Sequence, residues 1–295
     1  MTESVSPTVA VIIATYNKSS VLCYAIDSVL WQTFGDFELW VIGDGCTDDS
    51  EAVVGAYDDP RVHWFNLPEN TGYQSEPHNE GLRRARGKYI AYLNHDDIWL
   101  PNHLQVLVDC IEENEADFAY SIMEWILYWA DPYPDIPQYP HAARPPEATV
   151  TLHRRDIVDE IGYWKPPTET YAVPRAEYFR RAQFIGKRFA FAPALTALKF
   201  GGSKDGYAGL NQQPEFMAKI RDDPDFVHKE LAGMLARAYH ELETPITLKR
   251  LRYQVLESIR RKLVKQGIDP ARMRFWTQPG KHIRDWRKTH GLDPL

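Results

Sequence analysis

Hydrophobic runs alternate with amphipathic stretches along the first half of the chain. Unbroken apolar runs are typical of strands buried on both faces of a sheet, and apolar residues spaced three to four apart are typical of helices. Five strands are predicted in this way, at Val9–Ala14, Phe37–Ile42, Val62–Leu67, Tyr89–Leu93 and Phe118–Trp125. Helices are predicted after Ser19 or Ser20 and at Ser50–Tyr57, Ser75–Arg86 and Asn102–Asn114.

This alternation predicts an α/β fold with a mostly parallel sheet flanked by helices, because parallel strands need crossover connections. Sheets of this kind bind ligands beyond the carboxyl ends of their strands. Polar residues and glycine follow the first four strands, in the segments Thr15–Asn17, Gly43–Gly45, Glu69–Gly72 and Asn94–Asp97. We therefore expect a binding site where these segments meet.

The second half of the chain is less regular. Pro, Tyr and Trp crowd the stretch Trp125–Pro146, which predicts a long irregular loop that either stacks on sugar rings or covers the edge of the sheet. Short helices are predicted at His153–Ile161 and Ala176–Gly186, and a strand at Phe189–Leu198. The last third is predicted to form a helical lobe.

Composition bounds the class of protein. The chain has 295 residues, of which 44% are hydrophobic and 25% charged, as is ordinary for a globular protein. No apolar run approaches the ~20 residues that span a bilayer, and the first residues lack the pattern of a signal peptide. Three widely spaced cysteines argue against a disulfide framework and favour a reducing compartment. We therefore expect a cytoplasmic protein.

The net charge of −7 is unevenly distributed. Between Ile246 and His290 there are thirteen Lys or Arg and three Asp or Glu, so this region carries +10 and the rest of the chain −17. An apolar stripe runs through the same region and consists of Leu248, Leu251, Val255, Ile259 and Leu263. The region is either a basic lobe packed on an acidic domain or a surface for anionic lipid. No motif for nucleic acid accompanies the charge, and no nucleic-acid partner is expected.

Carboxylates follow two of the four strands. Asp48, with Glu51 three residues later, is typical of a helix start, whereas Asp44 caps nothing. Asp96 and Asp97 stand too early to cap a helix that is predicted to begin at Pro101. Adjacent carboxylates repel each other unless a cation or a hydrogen-bond donor offsets their charge, and oxygen ligands of this kind suit Mg²⁺ or Mn²⁺.

Four blocks of sequence resemble a known family. In order and spacing, the blocks VAVIIATYNKSS, FELWVIGDGCTDDS, ENTGYQSEPHNEGL and ARGKYIAYLNHDD resemble the inverting family 2 glycosyltransferases of the GT-A fold. The resemblance is strong over Thr8–Asp97 and continues more weakly through His153–Trp164 and Pro174–Ala182. The C-terminal third matches no motif of the family.

The resemblance implies a role for each matching residue. Nucleotide binding is implied for Thr15, Tyr16, Asp44, Asn70, Gly72, His78, Asn79 and Asp96. Within this set, Thr15 and Tyr16 would lie against the base, Asp44 would accept a hydrogen bond from it, and Asp96 would lie near the ribose. Asp97 would ligate the Mn²⁺ or Mg²⁺ that bridges the diphosphate. The chain departs from the family at Asn94, where many members have Asp, and at His78, where members often have Arg.

A catalytic base is also implied. The family pattern places an acid six residues before an arginine, but counted back from Arg181 that position holds Arg175. Glu177 lies four residues before Arg181 and is predicted to be the base, with Glu169 as the alternative. A solvated helix carboxylate remains the other interpretation of Glu177.

The implied activity is metal-dependent inverting transfer of a sugar, from a nucleotide sugar such as a UDP-sugar to a hydroxyl of a saccharide or lipid-linked acceptor. The product would belong to a surface polysaccharide or glycoconjugate, made at the cytoplasmic membrane face. Residues 1–125 would bind the donor, 126–200 the acceptor, and 201–295 would form the basic helical region. The alternatives are an inactive nucleotide-sugar-binding scaffold and a sugar-1-phosphate nucleotidyltransferase, although TYNKSS lacks the Gly-rich loop of the latter.

Overall fold

One mixed sheet of nine strands organises the part of the chain described by the computed structural model, namely residues 6–127, 133–135, 145–201, 212–243, 248–270 and 279–289. In chain order the strands are β1 (Val9–Thr15), β2 (Phe37–Gly43), β3 (Val62–Asn66), β4 (Tyr89–Asn94), β5 (Ile98–Trp99), β6 (Phe118–Leu127), β7 (Tyr133–Asp135), β8 (Thr151–Arg154) and β9 (Phe189–Gly201). Their order in the sheet is β3-β2-β1-β4-β8-β6-β9-β5, and β7 pairs with β6.

The strands predicted from the first half form the parallel part of the sheet. Strands β3, β2, β1 and β4 are parallel neighbours, and β9 runs parallel to β6, whereas β8 is antiparallel to both β4 and β6. In the register of the sheet, Thr15 pairs with Gly43, Gly43 with Asn66, and Ala14 with Asn94. The four strands therefore end at the same level, and the polar segments that follow them emerge at one edge.

Helices cover both faces of the sheet. They are α1 (Ser19–Leu30), α2 (Ser50–Gly55), α3 (Ser75–Arg84), α4 (His103–Glu113), α5 (Ile157–Ile161), α6 (Pro174–Phe184), α7 (Gln213–Asp222), α8 (Phe226–Glu243), α9 (Leu248–Lys265) and α10 (Lys281–Thr289). Along β4, Tyr89, Ala91 and Leu93 join the core under α1 and α4. Ile90 and Tyr92 join the core under α3, α5 and α6. The predicted α/β fold and helical C-terminal third are confirmed.

Two predicted elements are corrected. The helix predicted at His153–Ile161 starts only at Ile157, because β8 fills the gap between β4 and β6 and buries His153 completely. The helix expected at Pro101 begins at His103, because the two-residue strand β5 first pairs with β9. Neither change was visible in the local pattern, since both depend on pairing with distant strands.

The proposed division of the chain stays a prediction. Its first boundary, between 125 and 126, falls inside β6, so the two predicted halves share one sheet. Most of the predicted aromatic loop lies outside the described residues, at 128–132 and 136–144. In the part of the chain that the structure describes, no helix combines the length and the apolar composition needed to cross a bilayer.

Candidate functional site

Hydrogen bonds and a close backbone contact join the loops at the carboxyl edge of the sheet. Asn17 adopts the left-handed conformation, with φ 48°, and its side-chain oxygen accepts hydrogen bonds from the backbone amides of Thr47 (2.8 Å) and Asp48 (3.3 Å). Gly45 has φ 69°, and a Cβ at this position would lie 2.4 Å from the amide nitrogen of Asn70. This contact requires glycine and brings the loop after β2 against the loop after β3.

Asp44 joins these two loops through its carboxylate. Its Oδ1 accepts hydrogen bonds from the Thr71 amide (3.0 Å) and hydroxyl (2.7 Å), and its Oδ2 accepts one from the Asn70 side chain (3.0 Å). Burial raises the pKa of the Asp44 carboxyl, although hydrogen bonds from Thr71 and Gly72 act in the opposite direction. Asp44 thus shapes the pocket wall besides offering oxygen atoms to a ligand.

Thr15 and Tyr16 lie at the end of β1 with different exposure. The backbone oxygen of Thr15 accepts a hydrogen bond from the Asp44 amide (2.8 Å), and the residue is 2% exposed. Tyr16 is 46% exposed, so its ring is open to a planar partner. Of the two residues predicted to lie against the base, Thr15 therefore supports the loop from inside the protein, and only the Tyr16 ring is accessible.

His78 and Asn79, also predicted to bind nucleotide, are both engaged inside the protein. The His78 ring is 1% exposed and packs against Tyr92 and Trp164, with ring centroids 4.8 and 4.7 Å away. The side chain of Asn79 accepts a hydrogen bond from the Trp164 amide and donates one to its carbonyl, both at 2.9 Å. Both side chains are therefore buried and engaged within the protein, and their predicted role in nucleotide binding stays a prediction.

Asp97 is completely buried and surrounded by hydrogen-bond donors. Its Oδ2 accepts hydrogen bonds from Asn94 (2.7 Å) and Thr149 (2.7 Å) and pairs with the Lys199 ammonium (3.2 Å). Its Oδ1 accepts one from the Phe200 amide (3.2 Å). This carboxylate therefore holds the segment after β4 to the turn that precedes β8 and to β9, and few of its lone pairs remain for the metal ion predicted there.

Asp96 has the opposite surroundings. Its backbone oxygen accepts a hydrogen bond from Gln213 at the start of α7 (2.9 Å), but its carboxylate receives none from another described residue. Burial raises the pKa of the Asp96 carboxyl, and Asp97 adds to this while the charges of His95 and Lys199 oppose it. A divalent cation is the partner that such a carboxylate lacks. The packing therefore favours Asp96 over Asp97 as the residue that could hold a metal ion, and the roles predicted for both stay predictions.

Asn94 explains why an amide can replace the usual acid. Its Nδ2 donates to the carboxylate of Asp97 (2.7 Å) and to the hydroxyl of Thr149 (3.0 Å). A carboxylate at this position would place a third negative charge against Asp97, with no donor between them. The amide therefore stabilises the strand end in place of a further cation.

Two further residues at the site, Glu147 and Lys199, carried no local signal in the sequence. Lys199 extends from the end of β9, with its side chain 15% exposed and its ammonium 5.2 Å from the centre of the Trp125 ring. Burial alone would lower the pKa of Lys199, but Asp97, Glu147 and Asp96 raise it above its usual value. The site thus contains a permanent cation beside its acidic pair.

The two carboxylates predicted as the catalytic base, Glu177 and Glu169, have different surroundings. Glu177 on α6 pairs with Lys165 (3.3 Å) and with Arg181 (3.0 Å), and Arg181 also donates to the backbone oxygens of Ile161 and Tyr163. Glu169 is exposed in a short 3₁₀ turn at Pro167–Glu169, which contacts α10. Within the described residues neither of them contacts the acidic pair, and both assignments stay predictions.

The donor set fits a divalent ion that is shared with a substrate. No group of three His, Cys, Asp or Glu side chains arranged for a metal occurs among the described residues. Mg²⁺ and Mn²⁺ in phosphate-binding sites, however, use one or two carboxylates and take their other ligands from phosphate and water. The Asp96 carboxylate could serve as such a ligand, and the neighbouring Asp97 would support it.

Comparisons with known proteins find glycosyltransferases. Residues 10–136 match the sequence model of the family described as Glycosyl transferase family 2. An uncharacterized glycosyltransferase of Rickettsia bellii is 39% identical over 114 residues, which are 38% of this chain and 16% of that protein. The Escherichia coli protein described as UDP-Glc:alpha-D-GlcNAc-diphosphoundecaprenol beta-1,3-glucosyltransferase WfgD is 31% identical over 118 residues, covering 40% of this chain and 46% of that protein.

A solved structure has the same fold. The crystal structure of S. aureus TarS 1-349 in complex with UDP-GlcNAc superimposes with a TM-score of 0.58 at 19% identity, over 79% of this chain and 73% of that one. At this identity the likeness concerns the fold alone. The chain spans less than half the length of the curated relatives described above.

Proposed function

Because residues 10–136 match the model of Glycosyl transferase family 2, we propose that the chain is an inverting glycosyltransferase that moves a sugar from a nucleotide donor to an acceptor hydroxyl. The observation that carries this proposal is the convergence of two acidic sites, at Asp44 and at Asp96, on one edge of the sheet. The first suits a nucleoside and the second a diphosphate with its metal ion.

We propose a UDP-sugar as the donor. The neighbouring structure of TarS contains UDP-GlcNAc, and the E. coli relative is described as using UDP-Glc. In this chain the exposed ring of Tyr16 would stack on the base, and the remaining lone pairs of Asp44 would accept the hydrogen bond of its N–H group. Asn70 and Gly72 would complete the wall of the pocket.

We propose Mn²⁺ or Mg²⁺ as cofactor, held by Asp96 with Asp97 as support. When bound, such an ion neutralises the charge that develops on the leaving diphosphate. Asp97 and Lys199 fix the position of the strand end from which Asp96 projects. Their hydrogen bonds keep Asp96 oriented before any substrate arrives, so little reorganisation accompanies the reaction.

We propose that the acceptor belongs to a surface polysaccharide or glycoconjugate. The E. coli relative is described as acting on a diphosphoundecaprenol-linked sugar, and a Bacillus subtilis relative, 31% identical over 117 residues, as a putative teichuronic acid biosynthesis glycosyltransferase. A saccharide with a lipid-linked diphosphate is the acceptor that these descriptions support. The second candidate function is an inactive nucleotide-sugar-binding scaffold, and the presence of Arg175 where the family has an acid favours it.

A panel of sugar nucleotides tests the activity. With Mn²⁺ present, we expect one UDP-sugar to raise the melting temperature and to release UDP once a saccharide or lipid-linked acceptor is added. At ~100 times its Kd the donor should stabilise the fold by about 2.7 kcal/mol. Binding with no release of UDP from any donor–acceptor pair would support the scaffold. The absence of both binding and release across the panel would contradict the whole proposal.

We also propose that α9 contacts an anionic membrane. Leu251, Val255 and Ile259 follow one another along one side of this helix and are 49%, 52% and 50% exposed. Val264, on nearly the opposite side at 100° per residue, is 7% exposed. Exposed Lys262 lies beside the apolar stripe. An apolar face flanked by cations is the pattern of a helix that lies in the surface of an anionic bilayer.

Vesicle sedimentation tests this contact. The protein should sediment with vesicles that contain anionic lipid at low salt, and retention should fall as salt screens the attraction. Substitution of both Val255 and Ile259 by Glu should reduce retention by about tenfold. Leu235→Glu, at an exposed position of α8, is the matched control and should retain binding. Equal retention by purely zwitterionic vesicles, or none at low salt, would contradict the proposal.

A further inference from the structure

Arg175 occupies the position at which the family pattern places the catalytic acid. It is the second residue of α6, which begins at Pro174. Its Nη1 donates hydrogen bonds to the backbone oxygens of Pro145 (2.9 Å) and Pro146 (2.6 Å), and its Nη2 lies 2.5 Å from Oε1 of Glu147. The guanidinium therefore fastens the 145–147 segment to the start of α6 and brings a carboxylate to the place where the acid is missing.

Glu147 lies beside the acidic pair of the donor site. Two residues further on, in the 3₁₀ turn Ala148–Val150, Thr149 donates its hydroxyl to Asp97. The backbone oxygen of Glu147 accepts a hydrogen bond from Thr151 (2.8 Å), which fixes the segment at its other end. The charge of Glu147 also contributes to the raised pKa of Lys199, the ammonium that pairs with Asp97. The short segment from Glu147 to Thr149 thus carries both the carboxylate and a hydrogen-bond donor of Asp97, the neighbour of the proposed metal ligand Asp96.

The Glu147 carboxylate is held at one oxygen and available at the other. Its side chain is 22% exposed and that of Arg175 is 17% exposed. Oε1 faces the guanidinium, whereas Oε2 accepts no hydrogen bond from any residue in the described ranges. Glu177, in contrast, is engaged by two cations that tie α6 to the segment 161–165. Of the two, Glu147 combines an open oxygen with a place at the donor site.

We propose that Glu147 is the general base of the transfer reaction and that Arg175 is its positioning residue. The inference rests on the proposed glycosyltransferase function and deepens it. The acceptor oxygen forms a bond to the anomeric carbon while the bond from that carbon to the phosphate oxygen breaks. The hydroxyl proton passes to Oε2 of Glu147, and the electron pair of the broken bond leaves with the nucleoside diphosphate. Arg175 keeps Oε2 directed at the acceptor by holding Oε1.

Matched Glu-to-Gln substitutions test the base. Glu147→Gln keeps the size of the side chain and an oxygen for Arg175, and we expect it to lower kcat by about 100-fold or more. The KM for the donor and the thermal shift caused by UDP should stay within about threefold of the wild-type values, because a base acts on the acceptor. Glu160→Gln, at an ion-paired glutamate of α5 outside the site, is the control and should retain kcat.

Arg175 is tested by a conservative pair. Arg175→Ala should lower kcat more than it changes the KM for the donor, and Arg175→Lys should recover part of that loss because it restores a cation beside Oε1. A merely structural role would instead lower the melting temperature of both variants together and leave kcat of the folded fraction unchanged. That result would overturn the positioning role.

The outcomes separate this inference from the function on which it rests. Wild-type kcat in Glu147→Gln, with or without a loss in Glu177→Gln, would overturn Glu147 as the base while leaving the glycosyltransferase intact. A large loss in Glu147→Gln with unchanged UDP binding and melting temperature would support it. Failure of the wild-type protein to transfer from any donor would remove the proposed function and the inference together.

Discussion

Replacing Asp97 by alanine should lower the free energy of unfolding by about 3–5 kcal/mol, because it leaves the largely buried ammonium of Lys199 without its carboxylate. The same change also removes the acceptor for Asn94, Thr149 and the Phe200 amide. Asp96→Asn should leave stability nearly unchanged and abolish metal-dependent transfer. Urea unfolding and nucleoside diphosphate release, measured on both variants, check the two halves of this prediction.

A double variant separates the pair from its surroundings. Asp97→Ala with Lys199→Met should be less destabilised than the sum of the single changes, since the second change removes the unpaired charge that the first creates. Wild-type stability in Asp97→Ala would show that the buried pair is not the support described here. If Asp96→Asn retains metal-dependent transfer, Asp97 would again be the expected metal ligand, as the sequence predicted.

Acid should destabilise the fold steeply between pH 6.5 and pH 5. Burial lowers the pKa of His78 and His103 to about 3 and that of His153 to about 4, from a usual value of 6.5. Below pH 6.5 the unfolded chain binds protons that these folded rings do not. Their contribution to stability is therefore complete above the unfolded pKa and is lost as the pH falls. Each ring contributes a slope of about 1.4 kcal/mol per pH unit.

The three rings together should lower the free energy of unfolding by about 6 kcal/mol between pH 7 and pH 5, which is as large as the stability of many domains. The raised pKa values of Asp44 and Asp96 oppose this loss at the acid end. Urea titrations across this range measure the slope. His103→Asn should remove one third of it. Thr196→Val should not, because it removes the hydroxyl that bonds the His103 ring and Ser121 but leaves the titratable ring in place. A stability independent of pH would contradict the burial of these histidines.

Strand ends were predictable because a buried parallel strand needs an unbroken apolar run. The runs at β1, β2 and β4 stop within a residue of the predicted points, and the polar residues after them lie on one edge as expected. Strand β8 and strand β5 escaped prediction, because each is short and owes its pairing to partners on β4, β6 or β9. The local hydrophobic pattern indicates that a strand is buried, but it does not indicate which distant strand pairs with it.

The acidic motif shows where local prediction stops. The sequence places Asp96 and Asp97 after β4 and excludes a capping role for them. It does not indicate which carboxylate turns inward, since Thr149, Lys199 and the Phe200 amide reach Asp97 from segments at least 52 residues away. Likewise, His78 lies within a block for which the resemblance implies nucleotide binding, but its ring packs against Trp164, so its position on α3 decided its environment.

The sequence by itself carried the resemblance to a family through its four blocks. It also predicted the parallel core of the sheet and the edge at which ligands would bind, because periodic burial and the polar residues at strand ends are local properties. Only the tertiary structure decided which charged side chains at that edge pair with one another. It engaged Asp97, left Asp96 open, and set Glu147 beside Arg175 across 28 positions of chain. Ion pairs of this kind form between side chains that are close only after folding, and burial then makes their partners obligatory.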